Sequence, residues 1–540
     1  MKRSKAFSRL IVLTLAATVP VLIPGTAHAA VRTFDNETVG QAPSGTRTYG
    51  TATVQNVTVG GVQTRAVRVV DSTSSAQSRV LFLQNGLPAK RFTFDLLAKS
   101  TSQSTILAVH GSGASEDTGA WRFLIRPPAA GSTTGVISVY DGTAWRDLAT
   151  VAGLHNPNAW TRVVIDASAT WAGITVAGKQ YRTSVRADAA GDITSFEVAS
   201  SGTQPTGTDT YIDNLDIVST GSVVATEPAG IEARFPDLIK LADGRMMAVY
   251  HSAAGHTEAN GVIKLTYSSD NGRTWTPPTV AVSNAYDNRD PKLTQLADGT
   301  VLLSFFQTDW TGSGSSNRGS FVARMAPGST TFATPVRIAS NQGGNWLHAP
   351  AVEIPGGDVL QPLYGSGAYV ARSHDGGRTW DASAEVFAAR DNDRYLYQEP
   401  NVTRLPSGQL VMLIRSFDKI QNKNVPSFIT RSNDDGRTWT PLTQSDITTA
   451  SHHQLLTSSG ALLLTYGDPG VANRPTFGAL IADPAGPWTG YPKTLLYNSG
   501  HGDQANPTSA EIAPGRYLTM SYNVTTRQLL AFETTTATYR

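Results

Sequence analysis

One pattern recurs six times between residues 241 and 522: a turn that contains glycine, followed by a short apolar run. A glycine turn between two strand-like runs is typical of a β-hairpin, and a fixed period of this length is typical of radial repeats. The repeat therefore predicts six four-stranded blades around an axis, a six-bladed β-propeller. The anchoring glycines lie 51 to 58 residues apart, at Gly244, Gly299, Gly357, Gly408, Gly460 and Gly515.

A second repeat, Ser-x-Asp-x-Gly-x-Thr-Trp, lies between those hairpins. Its aspartate can accept backbone N–H bonds within the turn, and its glycine permits a positive φ. Its tryptophan is expected to cover the junction with the next blade. These Asp boxes predict structural turns rather than a sugar site. They span residues 268–275, 373–380 and 432–439, with a degenerate copy at 482–488.

The first 30 residues have the composition of a cleavable secretory signal. Four basic residues precede an apolar stretch at 10–23, and Ala-His-Ala follows at 27–29. Pro20 interrupts this stretch, which is too short to span a membrane, and no later apolar run is long enough. The sequence therefore predicts a secreted, extracellular protein without membrane insertion.

Charge and cysteine content narrow the classes of function. Without residues 1–30 the chain has 40 basic and 42 acidic residues, a balance that gives no indication of a nucleic-acid partner. The absence of cysteine excludes disulfides, thiol catalysis and Cys-ligated zinc. The oligomeric state is not encoded in these features.

Residues 31–219 contain none of the propeller repeats. Short alternating strands separated by Ser, Thr, Gly and Asn predict a β-sandwich there, joined by a linker at 220–229 to the propeller at 230–540. The all-β chain thus has two domains.

The two ends of the sandwich, at 34–36 and 211–216, resemble those of the concanavalin-like jelly-roll modules of secreted carbohydrate-active enzymes. The resemblance implies a carbohydrate-binding module or packing against a catalytic domain. Asp35, Asp213 and Asp216 offer oxygen ligands for a structural calcium ion, or they satisfy turns, as aspartates beside strand ends commonly do.

Chemistry in a propeller is expected where the starts of the innermost strands converge on a shared mouth. The residues just before these strands are unusually polar. A proline in five of the six blades sets an extended backbone, but it does not require a charged neighbour. These segments are Arg-Phe-Pro at 234–236, Arg-Asp-Pro at 289–291, His-Ala-Pro at 348–350, Gln-Glu-Pro at 398–400, His-His at 452–453 and Asn-Pro at 506–507.

The Arg-Phe-Pro segment, the three Asp boxes, Glu399, Arg415 and Arg474 together resemble the sialidase (neuraminidase) superfamily from residue 230 to the C-terminus. The resemblance implies that Arg234, Arg415 and Arg474 clamp the carboxylate of a sugar, which planar guanidinium groups can bind bidentately. It also implies an exo-acting hydrolase that removes a terminal acidic sugar from a glycan or polysaccharide and requires no cofactor or catalytic metal.

The acid/base carboxylate of that superfamily lies in the loop before the first Asp box. Glu258 is the only acidic residue of that loop and is the acid/base candidate. Asp290, at the mouth in the second blade, is the alternative, or it positions a substrate hydroxyl. His348 and Asn506, at the same mouth, are expected to contact the substrate.

One departure from the superfamily concerns the nucleophile, a tyrosine that precedes the proline of the last inner strand. This chain has Asn506 there, and asparagine cannot act as a nucleophile. Either Tyr395 or Tyr397, both close to Glu399, replaces the tyrosine, or the sugar is not sialic acid and Glu399 acts directly as nucleophile or general base.

Three other functions remain open. An exo-arabinanase-like hydrolase would pair Glu399 with Glu258. A uronate polysaccharide lyase would abstract a proton with His348, His452, His453 or a tyrosine. A lectin-like propeller would bind glycans without turnover, although opposed acids are not what a neutral sugar requires.

Overall fold

The computed structural model describes residues 31–71, 77–87, 89–99, 104–127, 134–152, 154, 156–168, 170–200, 209–219, 221–310, 314–342 and 344–539. The predicted secretory signal, residues 1–30, lies outside them. Regular structure in these ranges is almost entirely β, as predicted, and its only helix is the short 3-10 helix Thr536–Tyr539. Within the same ranges, no helix has the length and apolar character needed to cross a membrane.

The N-terminal domain consists of two seven-stranded antiparallel sheets. One sheet has the strand order β1-β4-β13-β6-β7-β8-β9 and the other β12-β11-β10-β5-β14-β3-β2. The strands are β1 Thr46–Tyr49, β2 Thr51–Val59, β3 Val62–Val70, β4 Arg79–Leu87, β5 Ala89–Ala98, β6 Thr105–Gly111, β7 Trp121–Arg126, β8 Gly135–Tyr140, β9 Trp145–Val151, β10 Thr161–Ser168, β11 Ala172–Val176, β12 Lys179–Thr183, β13 Ile193–Ser200 and β14 Asp209–Ser219.

A single apolar core lies between these two sheets. Phe196 of one sheet stacks on Phe92 of the other with ring centroids 5.1 Å apart, and Phe94 lies 5.0 Å from the same ring. Large aromatic side chains in this position bury much of the apolar area that holds two sheets together. The β-sandwich is therefore confirmed, while its assignment as a jelly roll stays a prediction.

Six four-stranded antiparallel sheets follow, as predicted. Blade 1 contains β16 Glu232–Lys240, β17 Met246–Ala253, β18 Val262–Ser268 and β19 Thr279–Val282; blade 2 contains β20 Asp287–Gln295, β21 Val301–Asp309, β22 Ser316–Met325 and β23 Val336–Arg337; blade 3 contains β24 Val352–Glu353, β25 Val359–Tyr364, β26 Gly367–Ser373 and β27 Asp381–Arg390. Blade 4 contains β28 Tyr395–Arg404, β29 Leu410–Asp418, β30 Lys423–Ser432 and β31 Thr443–Gln444; blade 5 contains β32 Ala450–Leu456, β33 Leu462–Gly467, β34 Thr476–Ile481 and β35 Thr494–Tyr497.

The sixth blade is completed by a strand from the other end of the propeller. It consists of β36 Thr508–Ala513, β37 Arg516–Asn523 and β38 Gln528–Thr535, and β15 Gly221–Thr226 pairs with β38 as its outermost strand. The segment predicted as a linker is therefore largely a propeller strand. A strand that closes the ring has to pair with a partner about 300 residues away, and no short-range pattern in the sequence encodes that pairing.

Apolar side chains hold successive blades together. Six buried clusters, one at each junction between neighbouring blades, include the one that joins blade 6 to blade 1 through Leu518, Met520 and Met246. Burial at every junction, including the closing one, stabilises the ring without disulfides.

The three Asp boxes have one geometry. In each box the aspartate Oδ1 accepts bonds from the serine hydroxyl and two backbone N–H groups, and its Oδ2 accepts a 2.6 Å bond from the threonine hydroxyl. The predicted structural role of Asp270, Asp375 and Asp434 is confirmed. In the degenerate copy, the indole of Trp488 donates to the carbonyl of Pro484.

The tryptophans of the Asp boxes pack on the preceding blade, so the prediction that they cover the next blade was wrong. Trp275 of blade 1 donates to the hydroxyl of Ser222 in blade 6, and Trp380 of blade 3 joins an apolar cluster with Leu302 of blade 2. A Cβ on Gly272 would lie 2.2 Å from Leu518 of blade 6. The box turn itself therefore presses against the preceding blade and carries its tryptophan there.

The sandwich contacts the propeller at its last two blades. Thr170 donates its hydroxyl to the carbonyl of Leu496, and Arg182 donates to the carbonyl of Thr538. The Arg182 guanidinium also lies 4.0 Å from the ring centroid of Trp171. This interface lies at β35 and at the C-terminal 3-10 helix, on the outer side of the blades.

Candidate active site

An irregularity at the start of the inner strands positions the side chains of the mouth. The residue before the proline adopts a left-handed conformation in four blades, and Ser451 does so in blade 5. The strand register shifts at this point in blades 1, 2, 4 and 5. Such a backbone costs on the order of 1–3 kcal/mol for a residue other than glycine. The four residues are Phe235, Asp290, Glu399 and Asn506, with φ between 47° and 80°.

Glu399 is a buried carboxylate with two strong partners. It accepts a 2.6 Å bond from Arg415 and a 2.7 Å bond from the backbone N–H of Ser451, and the residue is 8% exposed. Burial alone raises its pKa, but the charges of Arg415 and His348 and the Ser451 N–H outweigh burial and lower the pKa to about 2. Glu399 is therefore ionised at every physiological pH.

Asp290 lies near the start of the inner strand of blade 2, two blades from Glu399 in blade 4, and is equally buried. Its Oδ1 is 3.4 Å from Nδ1 of His348 in blade 3 and accepts a 3.3 Å bond from Asn506 in blade 6. Burial raises its pKa, but the hydrogen bond and charge of His348 and the charge of Arg289 bring it below the ordinary value. Three of the predicted site residues thus come together from three different blades.

Tyr364, a residue that the sequence analysis missed, stands between the two carboxylates. It ends strand β25 of blade 3, beside the ring of Trp346. Burial raises its pKa well above the ordinary value, and the charges of both Glu399 and Asp290 raise it further. The phenol is therefore neutral and lies within electrostatic range of both acids.

A simple count along the sequence would have found Tyr364. It is the seventh residue after a hairpin glycine, and the seventh residue faces the mouth in other blades too: His251 bonds Asp287, Arg415 bonds Glu399, and Tyr522 bonds Asp503. In blade 5 this position is Gly467, where a Cβ would lie 2.8 Å from Ala505 and 3.1 Å from Arg474.

Arg234 and Arg474 converge on one carboxylate, that of Asp503. Arg234 donates to its Oδ2 and also bonds Glu232, while Arg474 Nη2 lies 3.7 Å from its Oδ1. His256 Nδ1 is 2.8 Å from Oδ2, and the phenol of Tyr522 donates to Oδ1 at 3.2 Å.

The third predicted clamp residue, Arg415, is held by a different carboxylate, that of Glu399. The structure therefore places two of the three arginines at one anion and the third at another. Whether all three bind a sugar carboxylate stays a prediction.

A second histidine–aspartate pair supports Arg289. His251 Nε2 lies 2.7 Å from Asp287, both side chains are fully buried, and the indole of Trp310 donates to the same carboxylate at 2.8 Å. Arg289 lies 3.4 Å from Asp287 and 5.2 Å from the ring centroid of Phe235. Sequence analysis did not select Arg289, although it directly precedes Asp290.

The comparisons with known proteins agree with the repeats and the ring of blades. Residues 244–495 match the family described as a BNR repeat-like domain. Among solved structures, the chain resembles a protein of unknown function from Dyadobacter fermentans, with a TM-score of 0.51 and 21% identity over 58% of this chain and 99% of that one.

Two further solved structures are similar to this chain at lower scores. A Hadza microbial sialidase has a TM-score of 0.49 and 15% identity over 88% of this chain and 96% of that chain. An alpha-L-arabinanase of Penicillium chrysogenum has a TM-score of 0.47 and 15% identity over 60% of this chain and 99% of its own. A comparison with the curated proteins gives no significant match.

Glu258 lies apart from the buried network of the mouth. It is exposed in the loop between β17 and β18, and no hydrogen bond or ion pair connects it to another described residue. Two residues earlier, His256 bonds Asp503, so the loop itself belongs to the rim of the mouth. Asp290 is the acid that the structure brings into the network of Glu399 and His348.

The other sequence candidates occupy the walls and floor of the mouth. Tyr395 and Tyr397 pack against Phe428 in the cluster between blades 3 and 4. His452 and His453 are buried, and desolvation lowers the pKa of each to about 3, so both rings are neutral.

No group of three or more His, Asp or Glu side chains in the described ranges is arranged to hold a metal ion. In the sandwich, Asp35 and Asp213 both accept bonds from the hydroxyl of Thr64. Calcium binding there stays a prediction.

Proposed function

We propose that the propeller is an exo-acting glycoside hydrolase whose catalytic carboxylates are Glu399 and Asp290. The observation that carries the proposal is the presence of two buried acids on blades 4 and 2 of one mouth, each held by its own partners and both close to Tyr364. Pairs of carboxylates that flank a glycosidic bond are the usual catalytic groups of glycosidases.

The two acids have different partners, which assigns their roles. Glu399 is permanently ionised and acts at the anomeric carbon, where it stabilises or captures the positive charge that develops as the glycosidic C–O bond breaks. The pair formed by Asp290 and His348, whose Oδ1 and Nδ1 lie 3.4 Å apart, delivers a proton to the departing oxygen. Water then supplies the hydroxyl that ends on the anomeric carbon, and its second proton returns to the pair.

Buried hydrogen bonds join the inner strands of neighbouring blades below the mouth. Thr508 of blade 6 donates to Asp237 of blade 1 at 2.9 Å, and Ser509 N–H of blade 6 donates to His453 of blade 5 at 3.3 Å. Asp237, Thr508 and His453 are all buried. The action on a terminal sugar is the part of the proposal that rests on the resemblance of the mouth segments to the exo-acting sialidase superfamily.

The same proposal covers the setting of the enzyme. We infer export through the signal at residues 1–30 and a glycan or polysaccharide substrate, with the sandwich as an accessory carbohydrate-binding module. We propose that the hydrolysis requires no cofactor.

The decisive experiment is hydrolysis by the full mature chain of aryl arabinosides, aryl sialosides and uronate polysaccharides, compared with Glu399→Gln and Asp290→Asn. Each substitution keeps shape and removes one charge, so we expect kcat to fall by roughly 10²–10⁴-fold. Glu353→Gln is the matched control, since Glu353 lies on the inner strand of blade 3 and bonds the backbone of Ala297 instead.

Unchanged turnover in Glu399→Gln would contradict the mechanism. Release of an unsaturated, ultraviolet-absorbing product from the uronate polysaccharide would show that the reaction is elimination and not hydrolysis. Glycan binding without any released product would show a lectin-like propeller.

A further inference from the structure

We infer that Asp503 is a built-in carboxylate ligand of the Arg234–Arg474 pair, and that the sugar bound at this part of the mouth is neutral. The inference names the substrate class of the proposed hydrolase and in that respect rests on it. The position of Asp503 is independent of any catalytic step.

Asp503 is bonded as a bound carboxylate ligand would be. One oxygen accepts from Arg234 and His256, and the other accepts from Tyr522 and faces Arg474 at 3.7 Å. Guanidinium groups and a phenol around two oxygens form the recognition pattern for an external carboxylate. Here the chain itself supplies the anion.

The charges at this subsite are already balanced. Arg234 bonds Glu232 as well as Asp503, so the two guanidinium groups face two carboxylates. Arg415 is paired with Glu399, and Arg289 with Asp287. Each of these four guanidinium groups already has an acidic partner among the described residues, and a sugar carboxylate entering the mouth would be repelled by Asp503.

The loop that carries Asp503 is fixed in place by its own hydrogen bonds. The buried side chain of Gln504 accepts from Ser499 N–H at 2.6 Å and donates to Asn498 at 2.8 Å, and the Gln504 carbonyl accepts two bonds from Arg474 at 2.8 and 3.0 Å. To withdraw Asp503, the loop would have to break these bonds. This favours a permanent occupant over a gate that moves aside for substrate.

The test is a calorimetric titration of the full mature chain with N-acetylneuraminic acid and with glucuronic acid. We expect weak binding to the wild type and a gain of about 10- to 100-fold in Asp503→Ala, which removes the carboxylate that Arg234 and Arg474 face, so that the carboxylate of the sugar can take its place. Asp503→Asn, which keeps the shape of the side chain, should gain less.

The matched control is Glu232→Gln, which raises the net charge by the same amount beside the same arginine but leaves Asp503 in place. We expect no gain in this variant. The double variant Asp503→Ala with Arg474→Ala should lose most of the gain, which would show that the arginine pair is the receptor.

Two results would overturn the inference: tight binding of either acidic sugar by the wild type, or equal affinity in the wild type and Asp503→Asn when both retain native near-ultraviolet circular dichroism. Because the readout is binding, it does not depend on turnover. If the wild-type chain hydrolysed none of the substrates, the proposed function would be rejected and the binding result would still stand.

Discussion

Acidic side chains have different roles in the two regions of the propeller, the Asp boxes and the mouth. The boxes of blades 1, 3 and 4 repeat one set of bonds, and their aspartates satisfy the turn completely. At the mouth the backbone irregularity repeats, while its side chain changes from Phe235 to Asp290, Glu399, Ser451 and Asn506. Where both the side chains and the geometry repeat, the residues have a structural role. Where the backbone repeats but the side chains change, the residues indicate a functional site.

The largest expected difference between the two regions is the effect of replacing an arginine on the pH dependence of activity. Arg415→Gln removes the main cation from buried Glu399, and breaking a buried pair costs about 3–5 kcal/mol unless the carboxylate takes up a proton. The folded pKa of Glu399 should rise from about 2. The acid limb of the pH profile of kcat/KM should then move upward, with at least a tenfold loss at pH 5 that recovers as the pH rises.

Arg378→Gln serves as the control for Arg415→Gln, because Arg378 lies in the third-blade Asp box and its side chain donates to the backbone carbonyl of Asp375. Its pH profile should match that of the wild type. An Arg415→Gln enzyme with an unmoved acid limb would show that Arg415 does not govern the ionisation of Glu399.

A smaller effect is expected below the mouth, at His453. Its folded pKa of about 3 lies under the ordinary value of 6.5, so the unfolded chain binds more protons between these values. Stability is therefore complete above pH 6.5 and falls as the pH drops. Between pH 7 and pH 5, the free energy of unfolding of His453→Gln should fall by about 2 kcal/mol less than that of the wild type, as measured by denaturant unfolding.

The neighbouring Gln454 provides the control. Its buried side chain donates to the carbonyl of Asn401 at 2.5 Å and carries no titratable group, so Gln454→Leu should change the free energy of unfolding by the same amount at pH 7 and at pH 5. A pH-dependent difference of similar size in both variants would mean that protonation of His453 is not its cause.

The smallest effect is expected at a box aspartate. Asp375→Ala deletes the acceptor of four hydrogen bonds in an exposed turn, for a loss of about 1–2 kcal/mol in the free energy of unfolding. Steady-state kinetics should show an unchanged kcat, because the turn lies away from the mouth. A large fall in kcat without a loss of stability would place this box in the functional region and break the comparison.

Short-range patterns in the sequence predicted the blades, the boxes and half of the site. Gly244 and its five equivalents all adopt φ between 71° and 91°, as a hairpin with a fixed period requires. Asp290, His348 and Asn506 were selected because each begins an inner strand, and propeller geometry brings such positions together.

The remaining features depend on contacts between distant parts of the chain. Asp503 meets Arg234 across 269 residues, and β15 meets β38 across a similar distance. Neither local propensity nor the repeat encodes such pairs. Glu258 was selected by its place in a loop, but a loop position does not determine whether a side chain is buried, and this one is exposed.

The strand that closes the ring also sets where the protein can be divided. β14 ends at Ser219 and β15 begins at Gly221, so sandwich and propeller are separated by a single residue. A fragment that began at residue 230 would leave the outer edge of β38 without its partner, and an exposed edge invites pairing with another chain. Exchange of the sandwich for another accessory module, by recombination or by engineering, has to conserve residues 221–226 on the propeller side of the junction.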